Sequence, residues 1–150
     1  MVGEPFVPAD FEAPVAYETT LFRLEPLGPE HNERDYDAWT SSIDHIHSTP
    51  GWGDSRWPRE MTLDENRSDL ESHADDFARR VGFTYSVLEA GHDVVGCVYI
   101  YPARDGTHDA HVQSWVRADR AELDRPLWKA VSGWLASVWP FKRVDYAERA

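Results

Sequence analysis

Three runs of strand-forming residues, at 83–88, 94–101 and 110–117, stand so close together that the chain has little freedom in how to pair them. The segments between them, Glu89-Ala90-Gly91-His92 and Arg104-Asp105-Gly106-Thr107, are rich in turn-forming residues. Connections this short join neighbouring antiparallel strands, because parallel pairing needs a long crossover. The third run sets Ala110, Val112, Ser114 and Val116 on one face and His111, Gln113, Trp115 and Arg117 on the other. A central, mostly antiparallel sheet follows from these local signals alone.

Helices flank the sheet in sequence. Leu123, Leu127, Ala130, Val131, Trp134, Leu135 and Val138 recur at helical spacing, and Pro140 stops that helix. Before the sheet, Thr62 and Glu65 fit a T-x-x-E capping box, and Leu63, Leu70, Ala74, Phe77 and Val81 form the stripe behind it. Tyr36, Trp39, Ile43 and Ile46 predict one helix over 35–47. Between these two helices, residues 49–58 hold two prolines, two glycines and two tryptophans, the composition of a long loop. Residues 20–27 predict a first strand and 141–146 a closing one. Residues 1–18 carry Pro5, Pro8 and Pro14 and predict an extended arm anchored by Phe6, Val7 and Phe11. The expected fold is a single α/β (α+β) domain over 1–150, in the order β-α-α-β-β-β-α-β.

Composition narrows the function classes. The formal net charge of −12 makes nucleic acid and anionic membranes poor partners, since the long-range field repels phosphate. One cysteine, Cys97, excludes an intrachain disulfide and a multi-cysteine zinc site. The amino terminus has no basic start or apolar stretch of a signal peptide, and the apolar run at 94–101 is too short to span a bilayer. A soluble cytoplasmic protein is the expectation. Aromatic residues make up 13% of a chain whose mean hydropathy is −0.59. Those rings either build the core or line a pocket.

The element order, with Phe22-Arg23-Leu24-Glu25-Pro26-Leu27 opening it and Val95-Gly96-Cys97-Val98-Tyr99-Ile100 at its centre, resembles the GNAT superfamily of acyl-CoA N-acyltransferases over residues 20–147. The resemblance implies that the strand at 110–117 splays from the one at 142–147, with acyl-CoA in the gap. It also implies a pyrophosphate held by a glycine-rich loop at the start of the following helix. This sequence departs from that pattern: no glycine stands between Gly106 and Gly133. Asp119 and Glu122 are placed to cap the helix, and Glu122 and Asp124 stand where phosphate would sit. What remains for acetyl-CoA is the backbone at Val116 and Arg117, with Arg117, Arg120 and Arg125 in place of glycines. Enzymes of the superfamily also usually continue beyond the last strand matched here. On that resemblance, a sheet edge is left that a second copy of the chain could cover, and a homodimer is expected.

For acyl transfer, His111 is the candidate base. Trp39, His47, Trp52, Trp57, Tyr99, Tyr101 and Trp115 are the candidate pocket, in which rings in an acidic surround favour an amine or other cation. Asp44-His45-Ile46-His47 and His108-Asp109-Ala110-His111 lack a third ligand at a recognised spacing, so no metal is expected. Two readings stand. One is an acetyl-CoA-dependent N-acetyltransferase acting on an amine. The alternative is a non-catalytic GNAT-like module that binds a ligand or partner.

Overall fold

The central meander belongs to a six-stranded sheet in a computed structural model that describes residues 5–89 and 93–150. In chain order the elements are β1 (Tyr17–Glu18), β2 (Arg23–Pro26), a 3-10 turn (Pro29–His31), α1 (Asn32–Thr40), α2 (Ile43–His47), α3 (Leu63–Ala78), β3 (Phe83–Leu88), β4 (Val94–Pro102), β5 (Ala110–Val116), a second 3-10 segment (Ala118–Leu123), α4 (Asp124–Val138) and β6 (Val144–Tyr146). The strands lie in sequence order across the sheet. Pairing is antiparallel from β1 to β5 and parallel between β5 and β6. The α/β class and the mostly antiparallel sheet agree with the sequence. Of the expected turn between β3 and β4, Ala90, Gly91 and His92 lie outside the described residues.

Alternation along the strands divides the core in two. Phe83, Tyr85, Val98, Ile100 and Val112 face α4, where Leu127, Val131, Trp134 and Leu135 are buried. Leu88, Cys97 and Trp115 face the other way, toward Trp39 and Ile46 of α1 and α2 and Leu70 of α3. Gly96 permits the close approach of β4 and β5, since a Cβ there would collide with the Trp115 carbonyl oxygen. The N-terminal arm lies on the α4 side. Val7 is buried, Phe11 packs against Trp139, and the Arg80 guanidinium donates to the carbonyls of Pro8 and Phe11 at 2.6 Å each.

Four local expectations are corrected. The helix over 35–47 is two helices, because Ser41 and Ser42 interrupt it. The Ser41 hydroxyl donates to the Ala38 carbonyl, and the Ser42 hydroxyl accepts from the Ala118 amide at 2.8 Å. The first strand begins at Arg23, because Thr19 accepts from the amides of Leu21 and Phe22 and turns the chain back from β1. Leu63 and Val81 are exposed and do not extend the α3 stripe. Val81 follows Arg80, whose φ of 63° ends the helix. The closing strand starts at Val144, since Lys142 and Arg143 donate their amides to the Asp109 carboxylate.

The capping box is present as expected: Thr62 N donates to Glu65 Oε1 at 2.9 Å and Glu65 N to Thr62 Oγ1 at 3.0 Å. Replacing Thr62 by Ala removes the hydroxyl that accepts from the Glu65 amide and leaves that amide unpaired at the start of α3. The expected cost is about 1 kcal/mol, a fall of roughly 3 °C in melting temperature for a domain of this size. Thermal denaturation of the variant checks it.

Candidate functional site

A cavity of about 490 Å³ opens between the sheet and the roof formed by α1, α3 and the 49–62 loop. Trp52 and Trp57 enter it from the loop, Tyr99 and Tyr101 from β4, and His111 and Gln113 from β5. The long loop is tied down on two sides. Gln113 Nε2 donates to the Gly51 carbonyl at 2.9 Å, and Trp52 Nε1 to the Ser114 carbonyl at 2.8 Å. On its far side, His47 Nε2 lies 2.7 Å from the Pro58 carbonyl. His47 therefore holds the roof and is absent from the lining. Trp39 and Trp115 are wholly buried behind it, with Trp57 packed against both. Of the seven candidate pocket residues, the structure brings Trp52, Trp57, Tyr99 and Tyr101 to one cavity.

The acids of this cavity escaped sequence reasoning. Asp35 is 3% exposed and accepts from Asn66 Nδ2 at 3.1 Å. Asn66 also accepts from Trp39 Nε1, so α1 and α3 are joined through a buried polar bridge. Burial pushes the Asp35 carboxyl up to about 6, and the nearby Asp69 carboxylate adds to the rise, while the bond from Asn66 opposes it. Asp35 has no ion-pair partner among the described residues. His73 also lines the cavity, and burial lowers its imidazole below the ordinary value, against the pull of Asp76 and Asp69. The signal was present: Asn66, Leu70, His73 and Phe77 fall at i, i+4, i+7 and i+11, so the α3 stripe runs through polar residues.

The second feature is the gap between β5 and β6. Their parallel pairing ends at Val112 with Tyr146. The Arg117 amide donates across to the Val95 carbonyl, so alternation aims the Ser114 and Val116 amides toward the gap. The chain fills that gap with its own side chains. The Arg149 guanidinium donates through Nη2 to the Ser114 carbonyl at 2.8 Å, through Nη1 to Ala147 at 2.7 Å and through Nε to Asp124 at 2.7 Å. Its side chain is only 3% exposed. Tyr146 OH and Ser114 Oγ lie 2.6 Å apart beside it.

The head of the following helix is occupied too. Ala118 N donates to Ser42 and Arg120 N to the Arg117 carbonyl. Arg117 pairs with Asp37 and Asp119, and Arg120 with Glu89. Arg125 is exposed and forms no ion pair among the described residues. The expected capping by Asp119 and Glu122 is corrected: neither helical segment receives a side-chain cap, because the Arg117 guanidinium takes Asp119. The acid that matters is Asp124, in the first turn of α4 and bound to Arg149. The Arg117, Ala118 and Arg120 amides are thus bonded within the chain, and the paired Asp124 carboxylate lies in the first turn of α4. The Val116 amide still faces the gap that Arg149 fills, so Arg149 would have to leave before a coenzyme could enter.

His111 sits at the cavity mouth with Nδ1 at 3.0 Å from Asp145. Val116 is five residues further along β5, about 17 Å at the usual strand rise. A base at one and an oxyanion donor at the other cannot serve the same reacting atom. Of the histidine groups considered for metal, only His108 joins a ligand-type cluster among the described residues, with Asp105 and Asp145. All three are solvent-accessible, and their ligand atoms lie within 4.8 Å of one another.

Compared by sequence, the chain matches no family model and no curated protein. Compared by structure, it matches solved acetyltransferases. The ribosomal-protein-S5-alanine acetyltransferase of Vibrio fischeri superposes with a TM-score of 0.66 at 12% identity, over 87% of this chain and 72% of that one. An acetyltransferase from Salmonella typhimurium that modifies the N-terminal serine of ribosomal protein L7/L12 gives 0.61 at 8% identity, over 79% and 63%. A ribosomal L7/L12 alpha-N-protein acetyltransferase in complex with coenzyme A gives 0.56 at 11% identity, over 81% and 66%. The chain has the GNAT fold. At such identities the likeness is one of fold alone.

Proposed function

We propose that this chain is a GNAT-fold binding module whose aromatic cavity captures a small organic cation, and that it does not transfer acyl groups. The observation that carries the reading is Arg149. It lies in the gap where acyl-CoA runs in the superfamily, and it holds the Ser114 carbonyl and the Asp124 carboxylate together. Seating the coenzyme would require breaking a buried ion pair beside a helix head where the Ala118 and Arg120 amides are already bonded. The cavity, by contrast, is open and lined by rings and acids, with no Lys or Arg among its lining residues. Ring faces and carboxylates both favour a positive charge.

The acetyltransferase reading keeps one observation in its favour: β5 and β6 do part beyond Val112, as they do around acyl-CoA in that fold. Thermal shift separates the two. A native ligand at a hundred times its Kd stabilises by about 2.7 kcal/mol, roughly 8 °C for a domain of this size. The expected result is no shift with millimolar acetyl-CoA and a rise with organic cations. A rise with acetyl-CoA that is competed by coenzyme A reinstates the enzyme.

A further inference from the structure

We infer that Asp105, His108 and Asp145 form a binding site for a divalent transition-metal ion of the zinc type, outside the aromatic cavity. The three come from two segments that the fold stitches together. The Asp109 carboxylate accepts the Lys142 and Arg143 amides at 2.8 and 2.9 Å, and the Asp109 amide donates to the Arg143 carbonyl at 2.8 Å. That seam lays His108, at the end of the β4–β5 turn, beside Asp145 of β6, which stands in register with His111 of β5. Residue spacing alone does not reveal the set, because one of its ligands comes from another strand.

One imidazole and two carboxylates are donors that zinc takes, and three protein ligands leave further positions to water or a small ligand. Their ligand atoms all lie within 4.8 Å of one another. His108 Nδ1 and Asp105 Oδ2 are 2.5 Å apart, whereas the ligand atoms of a tetrahedral zinc stand roughly 3.4 Å apart. The three side chains are between 37 and 46% exposed, so small rotations reach that spacing. Asp105 is already aimed: its Oδ1 accepts the Thr107 and His108 amides at 2.9 Å each, which turns Oδ2 to the imidazole. Behind Asp145, His111 Nδ1 lies 3.0 Å from Oδ2 and serves as the outer partner that fixes a ligating carboxylate. Electrostatics favour a cation here. Neither Asp105 nor Asp145 pairs with a Lys or Arg among the described residues, so two carboxylates meet at short range in a chain of net charge −12. A recess of about 500 Å³, lined by Asp105 and Asp145 with Tyr101 and His111, gives the ion access.

Calorimetric titration of the full chain at pH 7.5 with zinc chloride and with magnesium chloride tests this. One Zn²⁺ per chain is expected, with Mg²⁺ at least about tenfold weaker, since an imidazole donor favours the softer ion. His108→Gln and Asp145→Asn should each weaken Zn²⁺ by more than about a hundredfold, because losing a ligand exceeds the cost of losing an outer partner. His111→Phe should weaken it about tenfold at an unchanged melting temperature of the metal-free chain. His111→Gln, which can still donate to Asp145, should recover most of that. All of these side chains are well exposed, so the variants are expected to fold. Zn²⁺ held equally by the parent and by His108→Gln would come from other surface donors and overturns the inference. Mg²⁺ matching Zn²⁺, as a diffuse acidic surface would give, overturns it too, as does an absence of Zn²⁺ binding.

Discussion

Asp35→Asn is expected to make the protein more stable at neutral pH while weakening its affinity for cations. The folded-state pKa of Asp35 lies near 6 against an ordinary value of 3.8. The folded chain therefore holds its proton more tightly than the unfolded chain between those values, and stability falls as pH rises through about 6. Two pKa units correspond to about 3 kcal/mol, present in full above about pH 7 and absent below about pH 4. Asparagine carries no such penalty and can still accept from Asn66. The variant should melt roughly 8 °C higher at pH 7.5, and the gap should close by pH 4. Other ionisable groups lie around Asp35 and this cavity: Asp69, His73 and Asp76 on α3, Cys97, Tyr99 and Tyr101 on β4 and His111 on β5. His73 has the opposite slope, its lowered pKa adding stability as pH rises. These groups are common to both chains, so the difference between the two melting curves isolates Asp35. Affinity for organic cations should drop about thirtyfold, from roughly 2 kcal/mol of lost charged contact. A variant less stable than the parent at pH 7.5 would show that the carboxylate is held favourably after all.

Arg149→Met should cost the most stability of any single change outside the apolar core. Its side chain is 3% exposed and that of Asp124 20%, so the substitution strands a largely buried carboxylate. Asp124 Oδ1 is already buried without a hydrogen-bond partner, which leaves the Arg149 contact at Oδ2 as its compensation. Breaking a buried pair from one side costs about 3–5 kcal/mol, a fall of roughly 10 °C here. Lysine will not substitute, because the guanidinium reaches three acceptors on three segments and an ammonium has no such fork. Adding Asp124→Asn to the Met variant should recover most of the loss, since the cost lies in the abandoned charge. Urea denaturation of the two variants measures this. A loss under 1 kcal/mol for Arg149→Met would mean that the gap between β5 and β6 is easily opened, and would revive the coenzyme site.

Much of the frame could be read from the chain. The meander from Phe83 to Val116 follows from alternation and turn residues, both of which act over a few positions. The Thr62–Glu65 box and the α4 stripe are local in the same sense. The break at Ser41-Ser42 was not legible, because the group that Ser42 receives belongs to Ala118, 76 positions away. β1 is two residues long and too short to carry a period. Among the aromatic residues, the sequence put Trp39, Trp52, Trp57 and Trp115 in one set; the fold buried Trp39 and Trp115 behind the cavity and brought Trp52 and Trp57 to its lining.

The acids followed the same division. That Asp119, Glu122 and Asp124 crowd the start of the last helix is visible in residue order. That Asp124 is the one neutralised, and by Arg149, depends on where the tail returns after β6. Nothing in residue order separates Asp35 from the other charges of its helix; the fold does, by closing Asn66 and the sheet over it. Strand and helix positions come from propensity and spacing, which neighbours along the chain impose on one another. Burial, and with it the choice of which carboxylate faces a ligand, is summed over contacts from segments far apart. That sum has no value until the sheet and its two layers of helix have come together.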